Sequence, residues 1–174
     1  MDDKQRKVVL DWMRKIHKME YAHRYQSMYW KNINSWLGIP SLILATIIGA
    51  ISTISAIPKE IIDFSIPLMA IIVAILSGLQ TFLKPTEKEI EFKKKSDQFE
   101  ELRHKVEEFL EFHREDETEK NITDILSEIR KEWAKLGNLN VSDKNFNKAG
   151  KRLKNLNKYP EPLSFLDYII DNTS

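Results

Sequence analysis

The chain contains no cysteine, which excludes disulfides, thiolate metal sites and a cysteine nucleophile. Its five glycines, at positions 38, 49, 78, 137 and 150, are scattered and build neither a phosphate-cradling loop nor a dinucleotide fingerprint. The four histidines, His17, His23, His104 and His113, stand in no metal-ligand motif, and no serine sits in a nucleophile elbow. An excess of one charge is also lacking. The 27 Lys and Arg against 26 Asp and Glu leave a net charge of +1, which carries no signal for a polyanionic partner such as nucleic acid. These absences lead us to expect no catalytic residue, no metal, no cofactor and no enzymatic activity.

What the chain does have is unevenly distributed. Asn32 to Pro58 is a run of 27 residues without a charge, and Phe64 to Leu83 is a second run of 20. A helix over residues 36 to 57 is about 33 Å long, against a hydrocarbon core of about 30 Å. It holds ten Leu or Ile, while the second run holds eleven Leu, Ile, Val or Phe, with Gln80 near its end where it can reach headgroups. Two buried helices in a soluble protein are the alternative, but a chain of 174 residues has little else with which to wrap them. A signal peptide is not expected, because the first 31 residues are highly charged and the apolar run begins far downstream of the usual place.

Only residues 58 to 63 separate the runs, too few for a domain, so the spans are expected to be antiparallel neighbours. Lys and Arg number eight in residues 1 to 31, one in the loop and six in residues 84 to 103, which places the loop outside and both termini in the cytoplasm. Trp30, Trp36 and Lys84 fall where inner-interface anchors belong. Pro40 and Pro67 lie near the starts of the spans and are read as helix starts.

Small residues recur every fourth position, at Ser41, Ala45, Gly49 and Thr53 and again at Ala70, Ala74 and Gly78. Such strips pack helices closely, within the hairpin or between subunits. A lone hairpin encloses no water path, so a pore requires a homo-oligomer. Ser41, Thr46, Ser52, Thr53 and Ser77 could line one, although hydroxyls in ordinary helices also bond back to a carbonyl one turn earlier.

The flanking segments read as amphipathic helices. Residues 4 to 35 carry Val9, Trp12, Ile16, Met19, Ala22, Tyr25, Tyr29 and Ile33 at intervals of three and four, so a long helix leads into the first span. Its expected partner follows Pro85, with Phe92, Phe99, Leu102, Val106, Phe109 and Leu110 similarly spaced. A third helix carries Ile122, Ile125, Leu126, Ile129, Trp133 and Leu136, opens near Asn121 or Thr123 and stops at Gly137. A short basic helix begins between Asp143 and Asn145 and ends near Asn157, and Leu163 to Ile170 is a further helix or strand. The cluster Lys144, Lys148, Lys151, Arg152, Lys154 and Lys158 suits solvent, a salt network, lipid headgroups or a phosphate.

The expected fold class is an all-α membrane protein: a two-transmembrane-helix hairpin with long cytoplasmic helical extensions forming a helical bundle. Its divisions are a cytoplasmic helix at 1–35, spans at 36–57 and 64–83 joined by a loop at 58–63, a helical region at 84–137 and a basic, proline-containing region at 138–174.

Trp12 to Pro40, with Ala22-His23 followed by Tyr25, Tyr29, Trp36 and Pro40, then Gly78-Leu79-Gln80 and Phe82, and Lys94 to Phe109 beyond, resembles the SLATT family of small two-span membrane proteins. The likeness covers about residues 8 to 135. It implies an effector of bacterial conflict systems that permeabilises the inner membrane in anti-phage defence by abortive infection, after a separate sensor or nucleotide-signalling protein detects infection. It also implies that His23, Tyr25, Tyr29 and Trp36 are structural or gating residues near the inner interface. The alternative is a non-enzymatic membrane scaffold that recruits a soluble partner through its cytoplasmic helices.

Overall fold

The computed structural model describes residues 3–51, 58–112, 119–137 and 139–159. These form five helices and, among the described residues, no strand: α1 (Asp3–Ile51), α2 (Lys59–Leu83), α3 (Pro85–Phe112), α4 (Glu119–Leu136) and α5 (Asp143–Leu156). Two of the helices are long and apolar enough to cross a membrane. Thr53, Ser52, His113, the end of the first expected span and the segment Leu163 to Ile170 lie outside the described residues.

The helix boundaries correct several expectations. Pro40 and Pro67 lie inside α1 and α2, not at their starts. A proline removes one hydrogen bond, and helix already propagating on both sides of it outweighs that single loss. As expected, residues 3–35 and the described part of the first span, 36–51, form one helix, while α2 begins at Lys59, inside the expected loop. α4 opens at Glu119, ahead of the Asn121 and Thr123 caps, and ends where expected at Gly137, which has φ +59°. Between α2 and α3 the break falls on Lys84, in the left-handed region at φ 47°. The following Pro85 disfavours helical backbone at the residue before it, and it opens α3 at no cost in hydrogen bonds.

The chain divides into two compact units, residues 1–26 with 91–174 and residues 27–90. In the first, α1, α3 and α4 share a core of Val9, Met13, Ile16, Phe99, Leu102, Val106, Phe109, Ile122 and Ile129. These are the expected stripes, with Met13 added on α1. Trp12 and Met19 are partly buried against the core, and Trp12 meets Trp133 edge to face at 6.4 Å. α5 closes over α1 with Asn145, Ala149 and Leu153 buried.

In the second unit the paired contacts are Ser27 Oγ donating to the Glu89 carbonyl (3.0 Å), Lys88 Nζ over the Trp30 ring (4.1 Å), Gln80 Nε2 donating to Asn34 Oδ1 (2.8 Å) and Ser41 Oγ near Ser77 Oγ (3.4 Å). As the position on α1 rises from 27 to 41, the partner falls from 89 to 77.

Candidate membrane segment and flanking polar sites

Among the described residues, none of the most apolar window of either α1 or α2 is buried. Trp36 is 78% exposed, Leu42 71%, Phe64 73% and Phe82 84%. Soluble monomers rarely expose apolar patches beyond a few hundred Å². A helix apolar on all its faces and unburied requires either a partner or a lipid solvent. Both stretches are helical, so away from the helix ends and the donors missing at Pro40 and Pro67 the backbone bonds within the helix, as a lipid environment demands.

The small-residue strips do not meet within the unit. Ala45, Gly49, Ala70, Ala74 and Gly78 are exposed, and a Cβ built on Gly49 or Gly78 would meet nothing within 4 Å. Leu44, Ile48, Met69, Val73 and Leu76 are among the half-buried residues of these helices, and of the described strip residues Ser41 has a contact on the other helix, at Ser77. Gly38 is the close approach, since a Cβ there would lie 3.5 Å from Gln80 Nε2. Of the hydroxyls, Thr46 bonds back to the Leu42 carbonyl (2.9 Å) and Ser77 approaches Ser41. Thr46 thus takes the back-bonding alternative.

The expected interface residues separate into different roles. Tyr29 is half exposed and packs edge to face on Trp30 at 5.6 Å, Trp36 is open, and Gln80 is engaged by Asn34. In the other unit, Tyr25 lies under Lys148 Nζ at 4.4 Å. His23 is fully buried, stacked on Phe99 at 5.3 Å and Phe92 at 5.9 Å. Neither ring nitrogen has a hydrogen-bond partner among the described residues. Burial, with the Lys95 ammonium adding to it, pushes His23 down to about 4, so the ring is neutral at physiological pH. It serves as a core aromatic.

Sequence reasoning missed a charged cluster in the first unit. Glu20 is 2% exposed and accepts from Arg103 Nε at 2.8 Å, and Arg103 Nη1 donates to Glu107 at 2.7 Å. Lys158 also pairs with Glu107, and Arg24 reaches both Glu20 (3.2 Å) and Glu100 (3.1 Å). Burial works to raise the Glu107 carboxyl, but Lys158 and Arg103 outweigh it and hold it below its usual range. His17 Nδ1 lies 2.9 Å from the Tyr159 hydroxyl, and burial with the nearby Arg103 and Lys158 cations lowers His17 to about 4. The signal was present in the spacing: Val9, Met13, Ile16, Glu20, His23 and Ser27 continue one 4-3 stripe whose second half is polar.

α5 is fixed by its start. Gln26 Oε1 accepts from the Ser142 amide (3.2 Å), Ser142 Oγ (3.0 Å) and Asn145 Nδ2 (2.8 Å). Lys144, Lys148, Lys151, Arg152, Lys154 and Lys158 are all exposed. Lys158 is committed to Glu107 and Lys148 to Tyr25, so the basic cluster is only partly a salt network. Among the described residues no group of three or more His, Cys, Asp or Glu could hold a metal ion. Compared with known families, curated proteins and solved structures, the chain has no match.

Proposed function

We propose that the protein is a membrane effector in which α1 and α2 form an antiparallel transmembrane hairpin and several hairpins assemble to permeabilise the bilayer. The observation that carries this reading is the complete lack of burial of both apolar windows in a chain whose other unit closes a core of its own. The descending partner positions from Ser27–Glu89 to Ser41–Ser77 support the hairpin, and the Lys and Arg balance supports an inner-membrane protein with both termini in the cytoplasm. Ala45, Gly49, Ala70, Ala74 and Gly78, left clear within the chain, fit close contacts between copies. The first unit would be the helical bundle that holds the assembly closed until a separate sensor or nucleotide-signalling protein acts. The resemblance to SLATT effectors supports placing this activity in anti-phage defence by abortive infection.

Leakage of a small dye or of ions from liposomes carrying the full chain tests the reading. Leakage that rises with protein density and with cross-linked oligomer is expected. A tight bilayer at every assembly state and with every candidate trigger would remove the pore. Capture of a stable soluble partner by the same tight protein would establish the scaffold instead.

A further inference from the structure

The first unit carries opposite charge on opposite sides. α5 meets α1 at Lys18, whose Nζ sits 3.7 Å from the Phe146 ring centroid and whose Cε would lie 3.4 Å from a Cβ on Gly150, and at Tyr25 under Lys148. α3 meets α1 at Glu20, which accepts from Arg103 and, through its carbonyl, from Ser96, and at His23, stacked on Phe99. Lys18 is two residues from Glu20, and Tyr25 two from His23. At 3.6 residues per turn, two residues are about 200° apart, so α5 and α3 pack on opposite sides of α1. The same spacing sets their outer faces. On α5, Lys151 is two residues from both buried Ala149 and buried Leu153, and Lys144 and Lys154 are exposed with it. On α3, Asp97 and Glu101 are each two residues from buried Phe99, and Glu108 is two from buried Val106.

Neither face is neutralised within the chain. Among the described residues no ion pair engages Lys144, Lys151 or Lys154, nor Asp97, Glu101 or Glu108. Lys105, the exposed Lys between the acids, is held by Glu132 at 2.8 Å. Lys93 and Lys94 are exposed before Asp97, so the acidic stretch starts there. The two stretches also match in length: Lys144 to Lys154 rises about 15 Å and Asp97 to Glu108 about 17 Å. Each copy of the chain thus presents both a surface and its electrostatic complement, in equal number and facing away from each other. We infer that the basic face of α5 docks on the acidic outer face of α3 in a second copy of this chain. Such a contact is head to tail, leaving one face of each kind open to recruit further copies. It involves the first unit alone and needs no permeable bilayer, so it goes beyond the pore reading while giving the copies a second place to meet.

Because the chain has no cysteine, Asn147→Cys on the exposed side of α5 and His104→Cys on that of α3 each give a single thiol. The two full-length variants are mixed in detergent micelles at low salt under a mild oxidant, and the disulfide-linked dimers are separated. Mixed dimers should exceed the statistical share by on the order of fivefold. The excess should vanish in 1 M salt, where the Debye length shrinks to about 3 Å, and when Lys144, Lys151 and Lys154 are changed to Glu in the Asn147→Cys chain. Changing Asp97, Glu101 and Glu108 to Lys in the His104→Cys chain should then restore it, with the helix content of both reversed chains unchanged by circular dichroism. Statistical mixing at low salt, or an excess indifferent to the reversals, would overturn the contact. So would reversed chains of native helix content that fail to rescue one another. Leakage from liposomes separates the two readings. A mixed dimer in a tight bilayer would remove the pore and keep the contact, whereas leakage without the excess would remove the contact alone.

Discussion

Helix α1 contributes to both units, and its two portions obey opposite rules. In the first unit Val9 and Ile16 are at most 1% exposed and even Glu20 is hidden; in the second, Trp36 and Leu42 are more than 70% exposed. The backbone is the same and only the neighbours differ. The polar half of the molecule thus folds as a soluble protein does, by closing apolar side chains around a core. The apolar half leaves its side chains outward and takes its internal order from a few polar contacts such as Asn34–Gln80. Burial is a stability argument for the first unit and, in the proposed bilayer, carries none for the second.

The largest test of this contrast removes a charge that the first unit buries. Arg103→Ala leaves Glu20 at 2% exposure without its closest cation and should destabilise the first unit by about 3–5 kcal/mol, read by denaturant unfolding or hydrogen exchange. The double variant Glu20→Gln/Arg103→Met should lose much less, since no charge is stranded. A loss below about 1 kcal/mol for Arg103→Ala would mean that the pair behaves as a surface bridge. The converse change adds a charge where the second unit is open. Ile75 is 57% exposed, so in a water-soluble protein Ile75→Lys would be nearly silent. Near the centre of a span it should cost about 2.5–3.5 kcal/mol of insertion, visible as loss of carbonate-resistant membrane association with hydrogen exchange of the first unit unchanged.

Acid should destabilise the first unit. His17 and His23 are both lowered to about 4, against about 6.5 when exposed. Above 6.5 neither the folded nor the unfolded form is protonated. As pH falls from 6.5 to 4 the unfolded form takes up protons that the folded form refuses, so stability declines by several kcal/mol; the histidine share levels off below 4, while protonation of Glu107, held below its usual range by Lys158 and Arg103, continues the loss. His23→Leu should be at least as stable as the native chain at neutral pH, because it removes two unpartnered ring nitrogens, and should flatten its share of the pH slope. Unfolding midpoints measured across that range decide it.

The apolar runs and the stripes of α1, α3 and α4 were legible because each is a repeated pattern, and repetition survives local error. Phe99, Leu102, Val106 and Phe109 illustrate this, being expected as one face and found within 8% exposure. Element ends were less legible. Pro40 reads as a start by propensity, yet helix on both sides carries through it, a cooperative effect that no single residue announces. Least legible was the side on which a residue acts. Ala45 and Gly49 share a strip by spacing, but whether that strip faces the partner helix depends on the register marked by contacts such as Asn34–Gln80. The Glu20–Arg103 pair depends on register in the same way, since the two residues are 83 positions apart.

That register offers the smallest and most discriminating measurement. Gln80 Nε2 donates to Asn34 Oδ1 at 2.8 Å, while Ser41 and Ser77 are separated by a longer 3.4 Å. Both lie between helices that otherwise present much of their apolar surface outward, so they specify alignment more than they add stability. Polar pairs within membranes couple by about 0.6 kcal/mol, because the separated helices find other partners. A double-mutant cycle on Asn34→Ala and Gln80→Ala should return a coupling near that value, measured by unfolding in detergent micelles, with Ser41→Ala and Ser77→Ala coupling less. A coupling of several kcal/mol would mean that the pair is shielded from water and headgroups alike, which would move it from the proposed interface into the hydrocarbon. No coupling at all would free α2 to slide against α1, and the alignment of Ser27 with Glu89 and Ser41 with Ser77 would then need another cause.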